Sequence, residues 1–191
     1  MNSNEQRVIN IILLIILVFV VLFSTIYLWQ QLTYVQVSSY DALRQTLYEK
    51  LKNSGAKVLN VPFVKQKPWY CSEASASMVL RYYGFNVSQD DVHNAGYENF
   101  ETMLPFLRKY LKCKYTILTP EDLRTEIDSG RPVIIRIVVG NYLHTIVVVG
   151  YYKNYFYVHD PARGPYIKVS EKELLNSWKL NNCRAIVLLK S

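Results

Sequence analysis

The sequence contains no GxxxxGK(S/T) phosphate loop, no CxxC pair and no HExxH motif, and it has only three cysteines and three histidines in 191 residues. The first absence excludes a P-loop nucleotide site, and the others exclude the common zinc spacings, so neither cofactor nor metal is expected. A dense basic run is missing as well. The formal charge is +7, but the 22 lysines and arginines stand singly among 15 acids. That spacing reads as a solvated basic surface, and with no RNA- or DNA-binding motif beside it a nucleic-acid partner is not expected. Internal repeats are absent, and no tract outside residues 8 to 29 is of low complexity.

Charge is missing altogether from residues 8 to 29, VINIILLIILVFVVLFSTIYLW, where only Asn10, Ser24 and Thr25 break the apolar run. At about 1.5 Å per residue, such a helix covers the roughly 30 Å of bilayer hydrocarbon. A cleaved signal peptide is the alternative, but its apolar region usually has about 7 to 15 residues. This run is longer and ends in Tyr27, Leu28 and Trp29, which suit an interfacial aromatic belt. The expected organisation is a tail (1–7), a transmembrane helix (8–29), a juxtamembrane helix or stalk (30–57) and one soluble domain (58–191). With so short a tail and the bulk of the chain beyond the span, that domain is expected to be extracytoplasmic.

Beyond the apolar run, Ser38 with Asp41 predicts a capped helix of about 14 residues carrying Leu43, Leu47 and Leu51 and ending at Gly55. KVLNVPFVKQ reads as a short strand leading into a turn at Lys67-Pro68. A helix from Cys71 follows, with Ala74, Met78, Val79 and Tyr82 on its buried face and Gly84 as its stop. Ser88 with Asp91, Thr119 with Pro120, and Ser170 with Glu173 mark three further helix starts, and Pro105 starts or kinks another helix. After Gly130 the pattern changes to strands: PVIIRIVVG, LHTIVVVG, YFYVHD, YIKVS and CRAIVLLK. Helices first and antiparallel strands later make an α+β domain.

A cysteine at the head of an otherwise ordinary amphipathic helix is the feature that points to chemistry. There the free N–H groups and the helix dipole stabilise a thiolate. Cys71 then needs a base. His93 lies in the polar stretch DDVHNAG and reads as a surface residue, whereas His144 opens the apolar strand HTIVVVG. His159 precedes Asp160 directly, so strand alternation sends the two side chains to opposite faces. If Gly150 and Asn154 bracket a five-residue hairpin loop, Val149 pairs with Tyr155 and His144 falls directly opposite Asp160. A carboxylate so placed orients the ring and stabilises its charged form. Gln66, five residues before Cys71, could join the Cys71 backbone N–H as an oxyanion hole.

Together, VPFVKQKPWYCSEASASMVLRYYG and GRPVIIRIVVGNYLHTIVVVGYYKNYFYVHDPARGPYIKVS resemble the papain-like cysteine peptidases of the C39 type, over about residues 58 to 191. The resemblance implies a papain-like fold and assigns Cys71 as nucleophile, His144 as base and later acid, Asp160 as the group that orients it, and Gln66 as oxyanion donor. It implies a peptide or protein substrate. The glutamine stands one residue nearer the cysteine than is common in such enzymes, and Ser72-Glu73 replaces the frequent Gly-Pro or Gly-Ser. The chain has neither the ATP-binding cassette nor the several membrane segments of the leader-processing exporters, so double-glycine specificity is not carried over. A C39-like domain that binds peptides or a membrane partner without cleaving them is the alternative. Cys113 and Cys183 could form a disulfide or remain separate buried thiols.

Overall fold

The computed structural model describes residues 2–96 and 100–190, with the side chains of residues 3–6, 8 and 36–38 outside the description. The elements in chain order are α1 (Ser3–Asn53), β1 (Lys57–Val58), α2 (Cys71–Tyr82), α3 (Gln89–Asn94), α4 (Leu104–Leu107), β2 (Lys112–Ile117) and α5 (Pro120–Asp128). They continue with β3 (Val133–Val139), β4 (Tyr142–Tyr152), β5 (Tyr155–Asp160), β6 (Gly164–Ser170), α6 (Glu171–Lys179) and β7 (Arg184–Leu189). The chain divides into two compact units, Met1–Ser39 and Tyr40–Ser191.

The first unit is helical, and its apolar side chains from Ile11 to Val35 are exposed. Among the described residues it contributes the one segment long and apolar enough to cross a membrane. No helix starts at Ser38, because α1 runs through that position without a break, and the Ser38 side chain itself lies outside the described residues. A Ser-x-x-Asp pattern caps only where the preceding backbone leaves the helix.

The second unit begins at Tyr40, ahead of residue 58, where the sequence pattern places the soluble domain. Tyr40, Leu47 and Leu51 pack against the unit's core, so this stretch of helix is a packing element of the unit. The sheet is antiparallel throughout, in the order β2-β7-β3-β4-β5-β6, with β1 added alongside β4. One face carries Ile134, Val147, Val149 and Ile186 against α2, and the other carries Ile135, Val148, Phe156 and Val187 against α5 and α6. Covering both faces explains why β3 and β4 read as nearly unbroken apolar runs. Of KVLNVPFVKQ only Lys57–Val58 pairs as a strand, and the remainder is irregular chain.

Three helix starts predicted from sequence are capping boxes: Ser88 with Asp91, Thr119 with Asp122, and Ser170 with Glu173. Pro105 stands in the first turn of α4, where its missing N–H costs nothing. The β4–β5 hairpin differs from the expected one. Its turn is Lys153-Asn154, so Tyr152 pairs with Tyr155, and a bulge between Val148 and Gly150 shifts the register further along. Gly150 is therefore a strand residue, and His144 is not directly opposite Asp160.

The three cysteines are free thiols. Cys113 pairs with Leu188 near one end of the β2–β7 ladder, whereas the Cys183 carbonyl accepts from Leu118 N–H past the other end. Five residues of ladder separate these points, roughly 16 Å at about 3.3 Å per residue. A disulfide needs Cα atoms within about 7 Å.

Candidate active site

The turn before α2 places its first residue. Tyr70 N–H donates to the Lys67 carbonyl at 3.0 Å, and Trp69 takes a left-handed φ of 69° to bring the chain round. No side chain caps α2, so Cys71 stands at an uncapped helix head, where the N–H groups and dipole favour negative charge. Ala74, Met78 and Val79 are fully buried as their spacing predicts, and Tyr82 is half-buried.

His144 sits near the start of β4, and its Nε2 lies 2.8 Å from Asp160 Oδ1. The other side of the imidazole is within hydrogen-bonding reach of the Cys71 sulfur. Asp160 Oδ1 also accepts the backbone N–H groups of Ala162 at 2.9 Å and Arg163 at 3.2 Å, so the loop after β5 fixes the carboxylate.

The electrostatics follow from these contacts. Burial pushes the Cys71 thiol up, but its hydrogen bonds with His144 and the Thr145 backbone, together with the His144 charge, hold it below its ordinary value. Burial likewise opposes charge on His144. The bonds and charges of Asp160 and Cys71 win, raising the imidazole from 6.5 to about 9. Asp160 is disfavoured by burial but held below the usual carboxylate range by His144 and the two backbone donors. These shifts run in the direction of a thiolate–imidazolium pair backed by a carboxylate.

Gln66 lines the same cleft, as its position before Cys71 suggests. Its backbone N–H donates to the Pro161 carbonyl at 3.0 Å, which ties the loop before α2 to the loop after Asp160. Its Oε1 is buried with no hydrogen-bond partner among the described residues.

The other two histidines do not reach this chain of contacts. His93 is exposed, stacks on Tyr70 at 4.3 Å and faces the buried Glu73 carboxylate at 3.2 Å. Glu73 thus has a partner of its own beside the thiol. His159 is fully buried behind Asp160: its Nε2–H donates to the Val61 carbonyl at 3.0 Å, and its Nδ1 accepts Tyr166 N–H at 3.1 Å. With the ring fully buried and both nitrogens satisfied in the neutral form, its pKa falls to about 4.

The cleft encloses about 490 Å³ between α2, the β3–β4 hairpin and the loop after β5. Trp69 is 83% exposed and Tyr142 68%, and their rings stand 6.5 Å apart at the rim. Sequence reasoning did not single out these two aromatics, nor Arg136, which also lines the cleft. An arginine inside the apolar run VIIRIVV was the available signal.

The profile of the Peptidase_C39 like family matches residues 58–186. The fold is shared by a protein from Bacillus anthracis described as a C39-like peptidase, with a TM-score of 0.63 and 21% identity, covering 71% of this chain and 98% of that one. A double glycine motif protease from an AMS/PCAT transporter, solved with its leader peptide, matches with a TM-score of 0.56 and 25% identity over 70% of this chain and 94% of that one. The peptidase domain of Streptococcus ComA, a bifunctional ABC transporter of quorum sensing, gives 0.57 and 18% over 67% and 97%. No curated protein matches the chain.

Proposed function

The chain belongs to the Peptidase_C39 like family, and from that membership and the cleft geometry we propose that it is a membrane-anchored cysteine peptidase acting through Cys71, His144 and Asp160. The observation that carries the reading is the hydrogen bond of 2.8 Å from His144 to Asp160 in the cleft headed by Cys71. A peptide substrate is supported by the transporter protease solved with its leader peptide.

In this reading the Cys71 thiolate attacks the scissile carbonyl carbon, and the carbonyl electrons move onto oxygen. The Gln66 amide and the Cys71 backbone N–H receive that oxyanion. His144 gives its proton to the leaving amine as the C–N bond breaks, leaving an acyl-enzyme. A water then loses its proton to His144 and attacks the thioester, releasing the acid and restoring the thiolate. Asp160 keeps the ring oriented and favours its charged form throughout.

Residues 8–29 form the proposed membrane span, with 1–7 as tail and 30–57 as the juxtamembrane segment, which from Tyr40 onward packs on the peptidase domain (58–191). Length and apolarity support the span.

The test is the pH dependence of iodoacetamide alkylation at Cys71, located by mass spectrometry in the full chain in detergent and in its His144→Ala variant. The expected result is a thiolate titrating well below about 8.5 that returns toward that value without His144. A sulfur that is inert, or equally reactive in both proteins, overturns the enzyme reading and leaves a peptide-binding module.

A further inference from the structure

The cleft holds two acids and two arginines, and their partners divide unevenly. Asp160 is committed to His144 and two backbone N–H groups, and Glu73 to His93. Neither Arg136 nor Arg163 has an ion-pair partner among the described residues, although both line the cleft.

Arg136 is the more confined of the two. It lies on β3 opposite Thr145, the residue after His144, and its Nε is buried with no hydrogen-bond partner among the described residues. Its charge helps to lower the Glu101 carboxyl, but that group already accepts Tyr115 Oη–H at 2.8 Å and Arg184 Nη1–H at 2.9 Å. A guanidinium with a desolvated, unpaired N–H is costly unless an anion arrives to meet it, and its planar fork suits a carboxylate.

We propose that Arg136 is a specificity residue that binds a carboxylate close to the scissile bond, so that the preferred substrates are peptides carrying an anionic group beside the cleavage site. This rests on the peptidase reading and names the substrate class for that same cleft. The carboxylate is that of an Asp or Glu side chain or of a substrate's own C-terminus, since the guanidinium recognises both alike. Arg163, exposed at the cleft edge, adds to the field that draws such substrates in.

The first measurement is the ratio of alkylation rates by iodoacetate, an anion, and iodoacetamide, its neutral counterpart, at each cysteine of the full chain. Cys113 and Cys183 serve as internal references. The expected ratio at Cys71 exceeds theirs, falls about tenfold in Arg136→Met and recovers in Arg136→Lys, because the His144 charge is common to all three proteins. A ratio unchanged in Arg136→Met overturns the inference while leaving the peptidase reading intact. Failure of Cys71 to react with either reagent removes the peptidase reading and the inference with it.

The second measurement exposes the chain to a proteome-derived peptide library and maps the cleavage sites. Enrichment of Asp or Glu at a fixed offset identifies the side-chain source, and cleavage at a fixed distance from free C-termini identifies the terminal source. Equal loss of cleavage across acidic and neutral sites in Arg136→Met also overturns the inference, since it would assign Arg136 to the charge developing in the reaction.

Discussion

Ser72 Oγ and Thr145 Oγ1 share a hydrogen bond of 2.8 Å between two buried hydroxyls. Ser72 follows Cys71 and Thr145 follows His144, so this one bond joins the head of α2 to β4 immediately beside the sulfur and the imidazole. Ser75 Oγ–H adds a second link to the Thr145 carbonyl at 3.3 Å. The separation of the Cys71 sulfur and the His144 imidazole is thereby set by the backbone positions on either side of it, as the proposed reaction, sensitive to small displacements, requires.

That pair makes a double-mutant cycle informative. Thr145→Val alone leaves the Ser72 hydroxyl buried without its partner and should cost about 1–3 kcal/mol of stability. Ser72→Ala with Thr145→Val removes both polar groups and should cost less than the sum of the two single changes. Turnover is expected to stay depressed in the double variant, because the tether is gone even where stability returns. Chemical unfolding and peptide cleavage of the four proteins check both statements, and strict additivity would show that the hydroxyls are not coupled.

Asp160 separates an orienting role from a charge role. Its Oδ1 accepts from His144 and from two backbone N–H groups, and Asp160→Asn keeps an oxygen at that point while losing the negative charge. The imidazolium, held at about 9 in the native protein, should then titrate roughly 1 to 3 pH units lower. An ion pair gives the alkylation profile of Cys71 a plateau expected to end on the alkaline side at this value, so the plateau should shorten from its alkaline end in Asp160→Asn. Asp160→Ala, which also frees the ring to turn, should lose more activity than Asp160→Asn. A plateau ending at the same pH in all three proteins would remove Asp160 from the site.

The sequence pattern brought His144 and Asp160 together, as the structure does, but through a different register. The real turn is two residues long, and on its own it would set His144 and Asp160 on opposite faces of the hairpin. The bulge at Val149 inserts one extra residue and reverses that parity. Carried one step beyond Val147–His159, the register sets Asp160 beside Ile146, with His144 two residues further along on the same side. A five-residue loop without a bulge preserves the same parity, so the two errors cancel. Cys71 and the three capping boxes were legible because helix starts are local signals. Arg136, Ser72 and Thr145 were not, since their meaning depends on which helix covers which strand. The Thr145 hydroxyl inside TIVVV was a visible anomaly whose partner could be found only in three dimensions.

His159 predicts how acid destabilises the fold. Its pKa drops from 6.5 to about 4 on folding, so below 6.5 the unfolded chain binds more protons than the native one. Stability contributed by this group is fully present above 6.5 and is lost as pH falls toward 4, on the order of 2 kcal/mol by pH 4.5. His144 shifts in the opposite direction, and its contribution is complete below 6.5 and lost as pH rises toward 9, so it does not compete in the acid window. His159→Gln offers an amide donor to the Val61 carbonyl and an acceptor to Tyr166 N–H without titrating. Its unfolding free energy should be flatter than that of the parent between pH 6.5 and 4.5. An identical slope in both proteins would mean that the buried ring is not the source.

Gly150 and Gly140 make a contrasting pair, because each is glycine for a different reason. A Cβ on Gly150 would stand 2.5 Å from Val58 Cγ1, 2.6 Å from the Lys57 carbonyl oxygen and 3.0 Å from Val58 Cα. Two of those three atoms are backbone, which cannot swing aside, so Gly150→Ala must push β1 away from β4. The expected cost is about 1–3 kcal/mol. Leu59 N–H, which donates to the Val149 carbonyl at 2.8 Å beside this contact, should lose protection from hydrogen exchange. The displacement feeds into the segment that carries Gln66, so cleavage should fall together with stability. At Gly140 nothing lies within 4 Å of the missing Cβ, and the requirement is only its φ of +57°. Gly140→Asn, whose side chain tolerates that region, should therefore be nearly neutral. Native-like stability in Gly150→Ala would show that β1 is free to move off the sheet edge, and the β1–β4 pairing would then have no part in shaping the cleft.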